Sequence, residues 1–100
     1  MTIYEYSTSM VIAGGSTTTT SLNIRGGIMH QLLIRANTST TIFRANLTDH
    51  NSIVRTNYGF STGELNDIGT QFPMSGRYTI NVTNASVNDT VRILLAVREQ

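Results

Sequence analysis

The chain has 100 residues, a formal net charge of +1 and no cysteine. This length fits one domain with one modest core. The lack of cysteine excludes disulfides and thiolate metal sites, and the small net charge argues against nucleic acid as a partner. No stretch approaches the roughly 20 apolar residues of a membrane span, so no membrane partner is expected. No secretory signal is visible either, which predicts a chain made in a cytoplasm.

Short segments that alternate apolar and polar residues recur along the chain and are separated by turn residues. A period of two indicates strands with one buried face. The segments are Thr2–Tyr6, Met10–Ala13, Thr18–Arg25, Met29–Ala36, Thr40–Leu47, Ser52–Asn57, Arg77–Thr83 and Thr90–Glu99. We therefore predict an all-β fold, an antiparallel β-sandwich (jelly-roll-like) of about eight short strands. Residues 1–17 are expected to form an N-terminal strand or arm, and residues 18–100 the sandwich, within one domain overall.

Two connections are predicted in detail. The Gly26-Gly27 pair is typical of a hairpin turn, and an odd-length loop with a bulge keeps the apolar residues on both sides of it on one face. The stretch Thr62–Gln71 is predicted to be one helical turn or an ordered loop. The resulting core consists of Leu22, Ile24, Leu32, Ile34, Phe43, Ala45, Leu47, Val54, Tyr78, Ile80, Val82, Val91, Ile93, Leu95 and Val97.

The opposite faces of the strands place arginine next to exposed aliphatic residues. All seven basic residues are arginine, the cation that is enriched at protein interfaces. Such a mixed face gains stability when a partner covers the aliphatic groups and pairs the arginines. The alternative is a second layer of the same chain, formed by the N-terminal segment. The predicted interface residues are Leu33, Arg35, Arg44, Arg92, Leu94, Ala96 and Arg98.

No set of residues predicts catalysis, a metal site or a cofactor. His50 follows Asp49 directly, and adjacent side chains in a strand or turn point apart, so the two do not form a base with its orienting carboxylate. His30 lies in an apolar strand, where a core or interface role is expected. The six carboxylates are scattered over turns and termini, without the facing pair that a glycosidase needs. The chain is expected not to be an enzyme.

The closing strands carry a resemblance to a known class of protein. Residues 73–86, Asp89 and the last strand, together with the strand 28–36 and the loop 62–67, are similar to the small β-sandwich structural proteins of tailed phages, capsid decoration (cement) proteins among them. The resemblance implies a non-enzymatic virion component that stabilises the shell. Its implied partner is the major capsid protein or another virion protein, within a homo-oligomer for which a trimer is favoured. Its implied location is the virion, after synthesis in the host cytoplasm.

Two alternative functions remain open at this point. The same residues suit a tail, neck or fibre component of the virion. A carbohydrate-binding module is the alternative from another class, with Tyr58 and Phe60 as the platform on which a sugar stacks.

Overall fold

The computed structural model describes residues 2–99, which form eight antiparallel strands and no helix. The outer bounds of the two expected segments, Met1 and Gln100, lie outside the described residues. The predicted all-β antiparallel fold is confirmed. The strands are β1 (Ile3–Ile12), β2 (Thr18–Ala36), β3 (Ile42–Thr48), β4 (Val54–Asn57), β5 (Ser61–Thr62), β6 (Glu64–Asp67), β7 (Pro73–Thr83) and β8 (Asp89–Arg98). No helix within residues 2–99 is long and apolar enough to cross a membrane.

The strands are hydrogen-bonded in the order β1-β8-β2-β7-β3-β4, with β6 added to β2 and β5 added to β3. The sandwich-like shape arises because one strand, β2, takes part in two regions of this sheet. Its first half pairs with β7, and its second half lies between β8 and β6. One continuous part of the sheet consists of β1, β8, β2 and β6.

The predicted hairpin at Gly26-Gly27 is wrong, because β2 continues through both glycines for 19 residues. The glycines serve close packing rather than a turn. A Cβ on Gly27 would lie 2.5 Å from the backbone oxygen of Arg98 and 2.6 Å from Cγ1 of Val97. A Cβ on Gly26 would meet nothing within 4 Å. Gly27 therefore allows β2 to pass directly against the end of β8.

Two irregularities in β2 keep its apolar residues inside the fold. The register shifts between Ile24 and Gly27 against β7, and again between Met29 and Gln31 against β8. Each bulge moves the inward positions by one residue. Ile24, Met29 and Leu32 are consequently all buried, although their spacing does not fit one uninterrupted period of two.

All but two of the predicted core residues are buried. Leu22 is only half-buried, packed against the core, and Val54 is 51% exposed. Val54 is the first residue of β4, a four-residue strand at the end of the sheet order, where little chain is available to cover it. The core also contains Ile12, Met29, Ala36, Leu65, Met74 and Ala85, which the predicted core leaves out.

The segment Thr62–Gln71 was predicted as a helical turn or loop, and the structure corrects this. It contains β6, whose residues pair with Leu32–Arg35 of β2. Leu65 is 6% exposed, and its alternation with polar neighbours suits a short strand at the sheet edge. The two short strands expected at the N-terminus form one strand, β1, in unbroken register with β8.

A polar clamp holds β6 in place. The Tyr58 hydroxyl donates a 2.6 Å hydrogen bond to Oδ2 of Asp67, and the backbone amides of Gly69 and Thr70 donate to Oδ1. Desolvation by burial raises the pKa of Asp67, but these hydrogen bonds outweigh it, led by the one from Tyr58, and the pKa is lowered. Burial, followed by the bond to Asp67, raises the pKa of Tyr58, so its hydroxyl stays protonated as the donor.

The close approach at Gly27 predicts that alanine at position 27 and alanine at position 26 have different effects on stability. Gly27→Ala is expected to lower the free energy of unfolding by about 1–3 kcal/mol, because the backbone of β8 must shift to admit the methyl group. Gly26→Ala is the matched control and is expected to be neutral or to stabilise by up to about 1 kcal/mol. Urea unfolding measures both, and equal stability of the two variants would contradict the packing described here.

The clamp predicts a pH-dependent effect for Tyr58→Phe. Loss of the hydroxyl is expected to cost about 1–2 kcal/mol near neutral pH, where it donates to a charged carboxylate. Because the Asp67 pKa is lowered on folding, the stabilisation by its carboxylate is present above the unfolded pKa of about 3.9 and is lost as pH falls through the folded pKa. The stability gap between wild type and variant should therefore narrow below about pH 4 in thermal melts. A gap that widens in acid would refute this account.

Candidate binding face

Three rows of outward-facing residues cross the strands β1, β8, β2 and β6. Directly opposed residues on neighbouring strands point to the same side of a sheet, as do residues two apart on one strand. The rows are Glu5–Ala96–Gln31, Ser7–Leu94–Leu33–Asn66 and Ser9–Arg92–Arg35–Glu64. We call these eleven residues the arginine face, after the third row.

An open groove of about 490 Å³ lies on this face. Its floor contains Leu33 and Leu94, both half-buried and directly opposed. Arg35 and Arg92 stand at one end of it, and Ser7–Ser9 of β1 line its side. The groove thus joins a small apolar centre to a cationic end.

The two arginines of the face differ in their partners. Arg35 donates from Nε and Nη2 to the same oxygen of Glu64, at 2.9 and 2.7 Å. Arg92 has no carboxylate of residues 2–99 within ion-pair distance. Its guanidinium is therefore the cation of the face that an external carboxylate meets first.

Asp89 is three residues from Arg92 in the chain, but its carboxylate binds the loop between β2 and β3. Oδ2 of Asp89 accepts hydrogen bonds from the Thr41 hydroxyl at 2.6 Å and from the Thr38 backbone amide at 3.0 Å. The bond from Thr41, followed by bonds from the backbone amides, holds the Asp89 pKa below its usual value despite some desolvation. This charged carboxylate fixes the loop between β2 and β3 at the rim of the face.

Four of the seven predicted interface residues come together on the groove: Leu33, Arg35, Arg92 and Leu94. Ala96 lies on the same face in the next row, but at 2% exposure it is covered by its neighbours. Arg98 is at the far end of β8, where Nη2 donates to Oε1 of Gln71 at 3.2 Å.

Arg44 lies apart from the other predicted residues. It is on β3, opposite Thr83 of β7, and its guanidinium lies 5.2 Å from the centroid of the Phe60 ring. Phe60 is 63% exposed and Tyr58 is half-buried, with its hydroxyl bound to Asp67. Both residues of the alternative sugar platform, Tyr58 and Phe60, thus also make contacts within the chain.

The sequence did not indicate the members of the face on β1 and β6. Ser7 and Ser9 belong to the segment that is predicted to be an N-terminal strand or arm, and Glu64 to the segment that is predicted to be one helical turn or an ordered loop. The alternation Glu64-Leu65-Asn66-Asp67 is a signal of a strand, but four residues without a β-branched side chain carry little weight. Which strand it joins is decided by contacts distant in sequence.

The remaining candidates for chemistry do not form a site. His30 is half-buried in β2, and His50 is exposed in the loop after β3. Within residues 2–99, no three histidine, aspartate or glutamate side chains are grouped so that they could hold a metal ion.

Comparisons with known proteins bear on the fold. No family model matches the sequence, and no curated protein is similar to it. Among solved structures, the chain is similar to PliG of Aeromonas hydrophila, a periplasmic lysozyme inhibitor of g-type lysozyme. The TM-score is 0.56 with 16% sequence identity, over 94% of this chain and 86% of that chain.

This match corrects the expectations drawn from the closing strands. The strand pattern that resembled phage decoration proteins belongs here to a fold shared with a bacterial periplasmic protein. The predictions of a virion structural protein, of a capsid partner in a trimeric assembly and of a virion location are therefore wrong. The alternatives, a tail, neck or fibre component and a carbohydrate-binding module, find no support either. At this level of identity, the chain and the PliG inhibitor share their fold.

Proposed function

We propose that this chain is a non-catalytic inhibitor of a g-type lysozyme and that it binds the enzyme through the arginine face. The shared fold with PliG, itself a periplasmic inhibitor of that class of lysozyme, supports the choice of partner. In this proposal the chain is a binding protein rather than an enzyme, and it acts in the periplasm. The interface residues are those of the face, among them Leu33, Arg35, Arg92 and Leu94.

The observation that carries the proposal is the direct opposition of Arg35 and Arg92 beside Leu33 and Leu94. Glycoside hydrolases hold carboxylates in the cleft where they cleave their substrate. A guanidinium binds such a carboxylate through two parallel N–H···O bonds, and the bond strengthens when water is excluded. The two leucines supply the apolar surface that excludes water around the charged contact.

The position of these residues within the sheet favours tight binding. Both β2 and β8 have a hydrogen-bonded strand on each side at this point, so their backbones are fixed before any partner arrives. The backbone of such strands loses little conformational freedom on binding, so the entropic cost is confined to the side chains. A rigid surface of this kind is suited to blocking a cleft.

The proposal predicts the effect of removing the unpaired cation. Arg92→Ala is expected to weaken inhibition of a g-type lysozyme by about 10- to 100-fold, since a hydrogen bond to a charged group is worth roughly 1.5–3 kcal/mol. Arg77→Ala is the matched control, because Arg77 is an exposed arginine of β7 outside the groove. The measurement is the inhibition constant from lysis of a peptidoglycan suspension. Failure of the wild-type chain to inhibit, or equal weakening by both variants, would refute the proposal.

A second variant tests the apolar centre of the face. Leu94→Glu is expected to abolish inhibition while the chain stays folded, since it places a carboxylate against an acidic cleft and removes the contact with Leu33. Val54→Glu introduces the same charge at an exposed aliphatic residue outside the groove and should leave inhibition unchanged. Circular dichroism checks the fold of both variants. Normal inhibition by a folded Leu94→Glu chain would exclude this face as the interface.

A further inference from the structure

Arg35 and Glu64 form an ion pair that lies within the proposed interface. Two donors of Arg35, Nε and Nη2, are directed at one oxygen of Glu64. This is the edge of the guanidinium that a partner carboxylate would use for a two-bond contact. In the isolated chain, Glu64 therefore occupies the place of a partner carboxylate on Arg35.

The pair is open to solvent and therefore easy to exchange. The side chains of Arg35 and Glu64 are 64% and 42% exposed. An ion pair in contact with water contributes little to stability, because both groups are solvated equally well apart. A carboxylate presented in a water-excluding interface can thus replace Glu64 on Arg35 at small cost.

Glu64 also offsets the electrostatic repulsion between Arg35 and Arg92, which lie in the same row. Arg35 and Arg92 are directly opposed on β2 and β8, and like charges in this arrangement repel. Glu64 lies next to Arg35 on the other side, on β6. The carboxylate offsets the two cations in the free protein and reduces the positive charge that the face presents to a partner.

We infer that Glu64 is a competing carboxylate that sets the specificity of the arginine face for strongly acidic partners. This inference rests on the proposed function. A partner with few carboxylates does not displace Glu64 and meets only Arg92. A cleft with closely spaced carboxylates binds Arg92 and takes Arg35 from Glu64, so both cations contribute to the complex.

Glu64→Gln tests this role, because glutamine keeps an acceptor oxygen for Arg35 and removes the competing charge. Inhibition of g-type lysozyme is expected to become about two- to fivefold tighter, the range that an exposed ion pair spans. Glu99→Gln is the control, since Glu99 is exposed and makes the same change in net charge. It lies about 23 Å from Arg92 along the chain direction of β8, beyond the screening length at physiological salt.

The thermal stability of the free chain gives a second test of the interaction between Glu64 and the two arginines. Glu64→Gln should lower the melting temperature of the free chain, because the repulsion between the two arginines is no longer balanced. Arg92→Ala should recover part of this loss in the Glu64→Gln background, and it should recover none in the Glu99→Gln background. Melting curves of the single and double variants measure this coupling.

The outcomes separate this inference from the function on which it rests. If wild type inhibits and Glu64→Gln inhibits equally, the competing role is wrong and the proposed function stands. Weaker inhibition by Glu64→Gln would make Glu64 a residue that positions Arg35, and equal tightening by Glu99→Gln would assign the effect to overall charge. Either result overturns the inference. If wild type does not inhibit at all, the proposed function fails and the inference fails with it.

Discussion

The fold depends on the passage of one strand, β2, from one region of the sheet to another. This passage needs a residue without a side chain where β2 meets the end of β8, and Gly27 supplies it against the backbone oxygen of Arg98. Because β2 continues through this point, it pairs in turn with β7, β8 and β6. Two bulges then restore the inward direction of its apolar residues. A fold with this central strand needs neither a disulfide nor a helix to connect its two regions.

The same strand also places the arginine face. Leu33 and Arg35 project outward from the second half of β2, where the inward positions Leu32 and Ile34 are fully buried. The buried residues fix the direction in which the outward ones point, since a strand alternates its side chains. The packing of the core therefore holds the backbone of the face in place. In the proposed complex, this backbone loses little conformational freedom on association.

Local alternation predicted most of the fold and about half of the face. The strands from Leu32 to Leu47 and from Arg77 to Arg98 contain regular apolar periods, so most of their buried residues and the outward Leu33, Arg35, Arg92 and Leu94 follow from sequence alone. The course of β2 through Gly26-Gly27 does not follow, because a glycine pair suits both a turn and a close approach. Choosing between them requires β8, about 70 residues away in the chain. The pairing of Glu64 with Arg35 depends on a different non-local contact, between β6 and β2.

In the proposed function, the third row of the face combines binding with stability. Two opposed arginines are unfavourable for an isolated sheet, and apolar or oppositely charged residues at these positions would make it more stable. Proteins keep such unfavourable arrangements where they serve binding, and offset them nearby. Here the offset comes from β6, a four-residue strand held by the bond between Tyr58 and Asp67. A short strand with a weak sequence signal thus supplies the charge that offsets the two arginines, and a carboxylate of the partner takes over this role in the proposed complex.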